Sequence, residues 1–364
     1  MNYSKRIEKL QASLRGKKLG GLLIAQPENR RYLSGFRGGD NGIQETSGVL
    51  LIPSKGKPHL ITDSRFELAA QQESPDFEVH VYRKRLPEFL KELLGELDIT
   101  QLGFESGYTL YSFAKNLEET LKDVKLFPLT NTIEDMRIIK DEEEIELLRK
   151  SVLLNEKVFE QVYDSMLECK TEVDVAIAVE TTMRRMGAES PSFSTIVASG
   201  ERGALPHAIP STQKLQSGKS LTIDMGLILD GYCSDMTRSF CYGKPDETYL
   251  EIHRVVRKAQ LAGIEAIRAG VTGASVDKVA RQVIEDAGYG KYFGHGLGHG
   301  VGLAIHEEPR LSRLNNKKLK AGMIVTVEPG IYIPEWGGIR LEDMVVVRED
   351  GCERLNTNDT WLNV

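Results

Sequence analysis

Cysteine is scarce in this chain. Cys169, Cys233, Cys241 and Cys352 are the only four in 364 residues, and no pair has CxxC spacing. That usage fits reduced thiols in a cytoplasmic protein and gives no footing for a disulfide scaffold. Runs of lysine and arginine are also missing. With a formal net charge of −6, this argues against a nucleic-acid partner. No apolar stretch approaches the roughly 20 residues that a membrane span needs. The opening segment "MNYSKRIEKLQASLRGKK" has no apolar centre of the kind a signal peptide carries. The expectation is a soluble, cytoplasmic protein without a membrane or nucleic-acid partner. Its length exceeds one ordinary core and points to two domains.

Residues 1–130 alternate apolar runs with helical patterns. "GLLIAQ" (21–26), "GVLLIP" (48–53), "PHLITD" (58–63) and "FEVHVY" (77–82) read as strands, and "PEFLKELLGEL" (87–97) and "YSFAKNLEETL" (111–121) as helices. This predicts a smaller α/β domain. Residues 131–364 read as α+β. Asp141, with Glu144 three residues on, resembles a capping box opening a long helix whose stripe is Ile145, Leu148, Val152 and Val158. Two more amphipathic helices, 249–270 and 275–288, interrupt a run of strands, the second closed by Gly288 as its C-cap. Helices followed by strands occur twice, which suggests two similar halves.

Three of the seven histidines and five of the glycines fall in "GHGLGHGVGLAIHEEP" (294–309). Glycine weakens regular structure and histidine fills a core poorly, so something must approach backbone and imidazoles together. A second signal is "LTIDMGLILDGYCSDMTRSF" (221–240). Asp230-Gly231 between β-branched residues predicts a two-residue hairpin turn. Asp224 then lies opposite Thr237, and Asp235 shares its face, with Cβ atoms about 7–8 Å apart. In "AGMIVTVEPGIYIPEWGGIRLEDMVVV" (321–347), Glu328 ends an apolar strand, Trp336-Gly337-Gly338 supplies a turn, and Glu342 precedes a tail buried on both faces. A glutamate so placed needs a cation or a proton; Arg340 is available to orient Glu342 or Asp235. Asp224, Asp235, Glu328 and Glu342 together carry a charge that two divalent ions would neutralise. Oxygen donors with one imidazole suit manganese, with cobalt or zinc admitted by affinity.

These motifs, in this order, resemble the pita-bread metallopeptidases: Xaa-Pro aminopeptidases, Xaa-Pro dipeptidases (prolidases) and methionine aminopeptidases. The likeness spans nearly the whole chain and implies five metal ligands: Asp224 in "TIDMG", Asp235 in "YCSDMTRSF", His299 in "GLGHGVG", Glu328 in "VEPG" and Glu342 in "IRLEDM". It implies that His207 in "GALPHAIPS", His295 and His306 contact substrate and stabilise the transition state, that Glu328 also carries the proton, and that Arg340 steadies its neighbouring carboxylates. The leading domain, with "NRRYLSGF" and "ITDSRFELAAQQ", points to the proline-specific branch and away from methionine aminopeptidases. The implied protein is a homodimer of pita-bread chains that cleaves the bond before proline in proline-containing peptides, using two divalent ions. "TDSRF" is nearer the Xaa-Pro aminopeptidase pattern. The alternatives are a dipeptidase restricted to Xaa-Pro dipeptides and, from another class, a non-catalytic binding module on the same fold. His59, His80 and His253 match no motif.

Overall fold

Short apolar runs become strands here because both their faces are covered. In β1 (Gly21–Ile24), β2 (Val49–Pro53) and β3 (His59–Thr62) every residue is buried. The computed structural model describes residues 1–40 and 42–363 and divides into two units, Met1–Arg137 and Ile138–Val364. In the first unit these strands join β4 (Glu78–Val81), β5 (Gln101–Glu105) and β6 (Lys125–Leu129) in a six-stranded sheet of order β4-β3-β2-β1-β5-β6. β3–β4, β1–β5 and β5–β6 run parallel, and β1–β2 and β2–β3 antiparallel. The helices Leu86–Glu96 and Tyr111–Thr120 lay Leu90, Leu93, Leu94 and Leu117 against Leu23, Leu51 and Leu102. Four helices, Tyr3–Gly16, Pro27–Ser34, Glu67–Glu73 and the single turn Glu134–Arg137, join those expected from the sequence.

The second unit repeats one plan. Helix Glu142–Asp164 begins with the expected capping box: Asp141 accepts from the Glu144 N–H and Glu144 from the Asp141 N–H. A second helix, Glu172–Arg185, follows from N-cap Thr171. The strands β7 (Ser190–Pro191), β8 (Ile196–Ser199), β9 (Lys219–Met225), β10 (Leu227–Leu229), β11 (Tyr232–Cys233) and β12 (Met236–Tyr242) complete this half. The other half starts again with helices Glu247–Glu265 and Gly273–Asp286, the latter from N-cap Thr272. Isolated antiparallel bridges Thr171↔Lys214 and Thr272↔Lys318 stand at equivalent places in the two halves. The helix ends at cap Ala287, and Gly288 follows it with φ +85°, so the expected C-cap glycine lies one residue further on.

The strands of this half are β13 (Gly298–Gly300), β14 (Glu307–Leu311), β15 (Ile324–Val327), β16 (Gly330–Ile333), β17 (Gly337–Arg340), β18 (Asp343–Val347) and β19 (Cys352–Arg354). Five of them form a sheet of order β14-β13-β15-β18-β19, while β16 and β17 form a separate hairpin. Ile333 pairs with Gly337, so the turn is Pro334–Trp336 and the two glycines open β17. The turn expected at Trp336–Gly338 is displaced toward Glu335, which takes the left-handed conformation at φ +67°.

The Asp230-Gly231 hairpin has the expected register: Leu229↔Tyr232 and Thr237↔Asp224. Both turn residues have positive φ, +48° and +87°, as a two-residue hairpin turn requires. The hairpin nevertheless belongs to two sheets, β12-β9-β8 and β11-β10-β7. At the junction a side chain on Gly226 would place its Cβ 2.1 Å from the Ser234 carbonyl oxygen. Glycine is the residue that fits there, and Asp235 lies at this break.

Candidate metal centre

Nine residues singled out in the sequence line one cavity of about 680 Å³. Asp224 comes from β9, Asp235 from the break before β12, His299 from the middle of β13, Glu328 from just after β15, and Glu342 from between β17 and β18. His207, His295, His306 and Arg340 complete the set.

Glycine makes the approach of β13 possible. A Cβ on Gly298 would lie 2.0 Å from the Thr326 carbonyl oxygen, and one on Gly300 2.3 Å from that of Glu308. His299 is therefore carried between two strands at backbone contact distance. Its N–H bonds to Thr326 Oγ1 (3.1 Å), and that hydroxyl donates to Glu328 Oε1 (3.1 Å).

The electrostatics of this cluster call for a cation. Burial pulls the His299 pKa down to about 3, so the ring is neutral. Nδ1–H donates to the Gly300 carbonyl (3.0 Å), which leaves a lone pair on Nε2. That lone pair faces Asp235 Oδ2 at 3.5 Å and Glu328 Oε1 at 3.4 Å. With a neutral ring these are contacts between acceptors, not ion pairs. Asp224 Oδ1 and Glu342 Oε1 are buried with no hydrogen-bond partner. Burial, and then the neighbouring carboxylates, push Asp235 and Glu342 well above the usual carboxylate range. Ligand atoms of Asp235, His299 and Glu342 all lie within 4.8 Å of one another. Hard oxygen donors with one neutral imidazole suit a divalent cation, which would satisfy the orphaned oxygens and the lone pair together. The residues fit a metal.

Arg340 departs from expectation. It touches neither Asp235 nor the Glu342 side chain. Nη2 donates to Asp224 Oδ2 (2.7 Å), Nη1 to the Tyr332 phenol oxygen (2.9 Å) and Nε to Thr237 Oγ1 (3.1 Å). Among the described residues, Thr237 links it to Glu342 by donating to Oε2 (2.7 Å). The reason is that β17 lies across the β9–β12 pair: Ser220 Oγ donates to the Gly338 carbonyl, and the Arg340 N–H bonds to Ser239 Oγ. That crossing aims the guanidinium at β9.

The three histidines differ in freedom. Burial lowers the His295 pKa to about 4, so that ring is neutral. Nδ1–H donates to the Gly296 carbonyl (2.7 Å), and Nε2 accepts from the Tyr332 hydroxyl (2.9 Å). Both nitrogens are committed, so no N–H of His295 is left for a substrate. His306 and His207 are exposed at the cavity. The His306 ring stands edge-on to His299, with centroids 4.5 Å apart.

Sequence reasoning missed Tyr332, Thr237, Arg310 and the pair Lys140–Glu307. Arg310 is exposed on β14 and lines the same cavity. Glu307 of "HEEP" accepts from buried Lys140 Nζ (2.9 Å) and from the Ala304 N–H (3.1 Å), and so secures the loop between His299 and His306. Glu307 is plain in "HEEP", but nothing local in the sequence points to its distant lysine.

Among the described residues no helix is long and apolar enough to cross a membrane. Residues 146–349 match Metallopeptidase family M24, and residues 6–139 match the Creatinase/Prolidase N-terminal domain. A Xaa-Pro dipeptidase of Pyrococcus horikoshii is 35% identical over 359 residues, covering 99% of each chain. A solved Xaa-Pro dipeptidase from Bacillus anthracis superposes with a TM-score of 0.91 at 36% identity, covering 98% of both chains. An X-Pro aminopeptidase from Thermotoga maritima gives 0.86 at 36% identity, covering 94% of this chain and 98% of the other. Matches over almost the full length, on top of five metal-type donors gathered in one cavity, make this chain a member of metallopeptidase family M24.

Proposed function

We propose that the chain hydrolyses the bond preceding proline, with Xaa-Pro dipeptides as its preferred substrates. The two ions this needs, manganese foremost, are held by Asp224, Asp235, His299, Glu328 and Glu342. The observation that carries this reading is the gathering of those five donors in one cavity whose wall also bears an exposed guanidinium, Arg310. An arginine suits the free carboxylate of a C-terminal proline. The expected preference for longer peptides rested on "TDSRF". Those residues form a local Asp63–Arg65 pair in the leading unit (2.7 Å). The names borne by the Pyrococcus horikoshii and Bacillus anthracis relatives support the dipeptidase reading.

When bound, the ions supply Lewis-acid polarisation and a water of lowered pKa. The residues do the rest. An Xaa-Pro amide has no N–H, so its nitrogen must receive a proton as it leaves. Glu328, whose carboxyl faces this cavity beside His299, carries that proton. Arg340 fixes the Asp224 carboxylate, and Thr237 fixes that of Glu342. His306, exposed beside His299, donates to the developing oxyanion, and His207 faces the same carbonyl from the opposite loop. His295, saturated by Tyr332 and Gly296, holds the cavity wall. Phe193, Ile196 and Ile305 supply apolar surface for the ring and the first side chain.

The test is turnover of Ala-Pro and Ala-Pro-Ala by manganese-loaded protein. Ala-Pro is expected to be the better substrate, and Arg310→Ala to raise its KM about 10- to 150-fold, the worth of a charged hydrogen bond, with little effect on Ala-Pro-Ala. His299→Ala and Glu342→Ala should lose both activity and metal, whereas His306→Ala keeps metal and loses turnover. Full metal content in Glu342→Ala, or no cleavage of either peptide by the wild type, refutes the assignment.

A further inference from the structure

The leading unit holds a second cluster with ligand chemistry. His59 opens β3 and pairs in register with Glu78 on the edge strand β4, while His80 lies two residues beyond Glu78. Alternation along β4 puts Glu78 and His80 on one face, and the parallel pairing brings His59 to the same face. His59 Nδ1 lies 2.9 Å from His80 Nε2. One oxygen of Glu78 is 3.8 Å from the first nitrogen, and the other is 3.6 Å from the second. Ligand atoms of all three fall within 4.8 Å of one another. The His59 side chain is 5% exposed and that of Glu78 53%, so the cluster opens outward past the carboxylate.

We propose that His59, Glu78 and His80 form a metal site of their own, suited to zinc or another borderline divalent ion, which joins the edge strand β4 to β3. Two imidazoles and one carboxylate are a donor set that zinc accepts, with water in the fourth position. Donors about 2.0–2.1 Å from a tetrahedral zinc stand roughly 3.3–3.4 Å apart. The two nitrogens therefore open by about half an ångström, and the carboxylate closes by a similar amount. An exposed glutamate can make that adjustment. Burial, and then the neighbouring His80 ring, lowers the His59 pKa and favours the neutral ring; a metal would replace the ring–ring hydrogen bond, the shared proton moving to the outer nitrogen of its own imidazole. Lys57 is the opposing charge nearby, and Glu78 offsets it. The Phe89 ring, 5.7 Å from that of His80, backs the site with an apolar surface. Strand β4 is four residues long, with none of them buried, so it gains little from a core and most from such a cross-link. The inference does not depend on the peptidase reading, since none of these residues lines the other cavity.

The test is equilibrium dialysis of the full-length protein against zinc, followed by elemental analysis. The wild type should hold one zinc per chain more than His80→Asn. Glu78→Gln should weaken that one equivalent about tenfold or more, since even groups that only orient a ligand are worth that much. Manganese-supported peptidase activity should be unchanged in both variants. Equal zinc content in the wild type and His80→Asn overturns the proposal. A check that needs no variant is zinc-edge anomalous scattering from a zinc-soaked crystal. A peak between His59 and His80 is expected. A crystal with a peak beside His299 and none between those rings also overturns it.

Discussion

Arg340→Lys is the sharpest probe of how the centre is held. Three separate nitrogens of Arg340 serve three acceptors: Asp224 at 2.7 Å, Tyr332 at 2.9 Å and Thr237 at 3.1 Å. A lysine ammonium is a single point, so it can keep Asp224 but cannot also span Tyr332 and Thr237. A lost hydrogen bond to a charged group costs about 1.5–3 kcal/mol. With water recovering part of what two lost bonds remove, the same range applies to the pair, or about 10- to 150-fold in rate. The assay is kcat and KM for Ala-Pro together with manganese content. The expected result is a fall in kcat of that size at nearly full metal occupancy, because every proposed ligand remains. Tyr332→Phe, which removes the phenol that joins Arg340 Nη1 to His295 but leaves the bonds from Arg340 to Asp224 and Thr237, should give a smaller loss in the same direction. A kcat within twofold of wild type in Arg340→Lys would refute the idea that the guanidinium fork sets the geometry.

Gly298→Ala forces a Cβ to within 2.0 Å of the Thr326 carbonyl oxygen. Thermal unfolding should show a loss of about 1–3 kcal/mol and metal titration a weaker site; a wild-type melting temperature would contradict the close approach. Lys140→Met leaves Glu307 without its buried cation and should cost about 3–5 kcal/mol in denaturant unfolding. Lys140→Met should also lower kcat through the loop that ends at His306. Burial lowers the His253 pKa to about 4 from an unfolded value near 6.5. The unfolded chain therefore binds the extra proton between those values. The resulting stability is complete above about pH 6.5 and lost as pH falls toward 4, by up to roughly 3 kcal/mol. His253→Gln should flatten that acid limb in pH-dependent unfolding.

What the sequence made legible follows from how local each signal is. The Asp230-Gly231 turn fixes register because strand alternation has period two, so Asp224 could be set opposite Thr237 before any coordinates. The metal donors stood out because each sits in a short run whose surroundings make an acid or imidazole expensive. Arg340 was placed correctly on its strand but given the wrong partner. Alternation gives the face of β17 but not the strand it crosses, and Asp224 is 116 residues away. Tyr332, Thr237 and the Lys140–Glu307 pair were silent for the same reason. Helix Glu172–Arg185 was expected as the second helix before the strands but had no bounds, because Val173, Val175, Ile177 and Val179 alternate like a strand. Burial at Val175, Val179 and Met183 shows the helical spacing. Strand β6 carries Pro128, which suits its place at the sheet edge but argues against a strand when read alone.

The division of the second unit into two similar halves has a mechanical consequence. Asp224 and Asp235 belong to the earlier half, and His299, Glu328 and Glu342 to the later one. Arg340 to Asp224, Thr237 to Glu342 and Arg238 to Asp343 are all bonds that bridge the seam. Relative slip of the halves would change every distance between donors on opposite sides at once, whereas flexing of an outer loop would change none of them. The stiffness of that seam is what sets the tolerance of the reactive geometry.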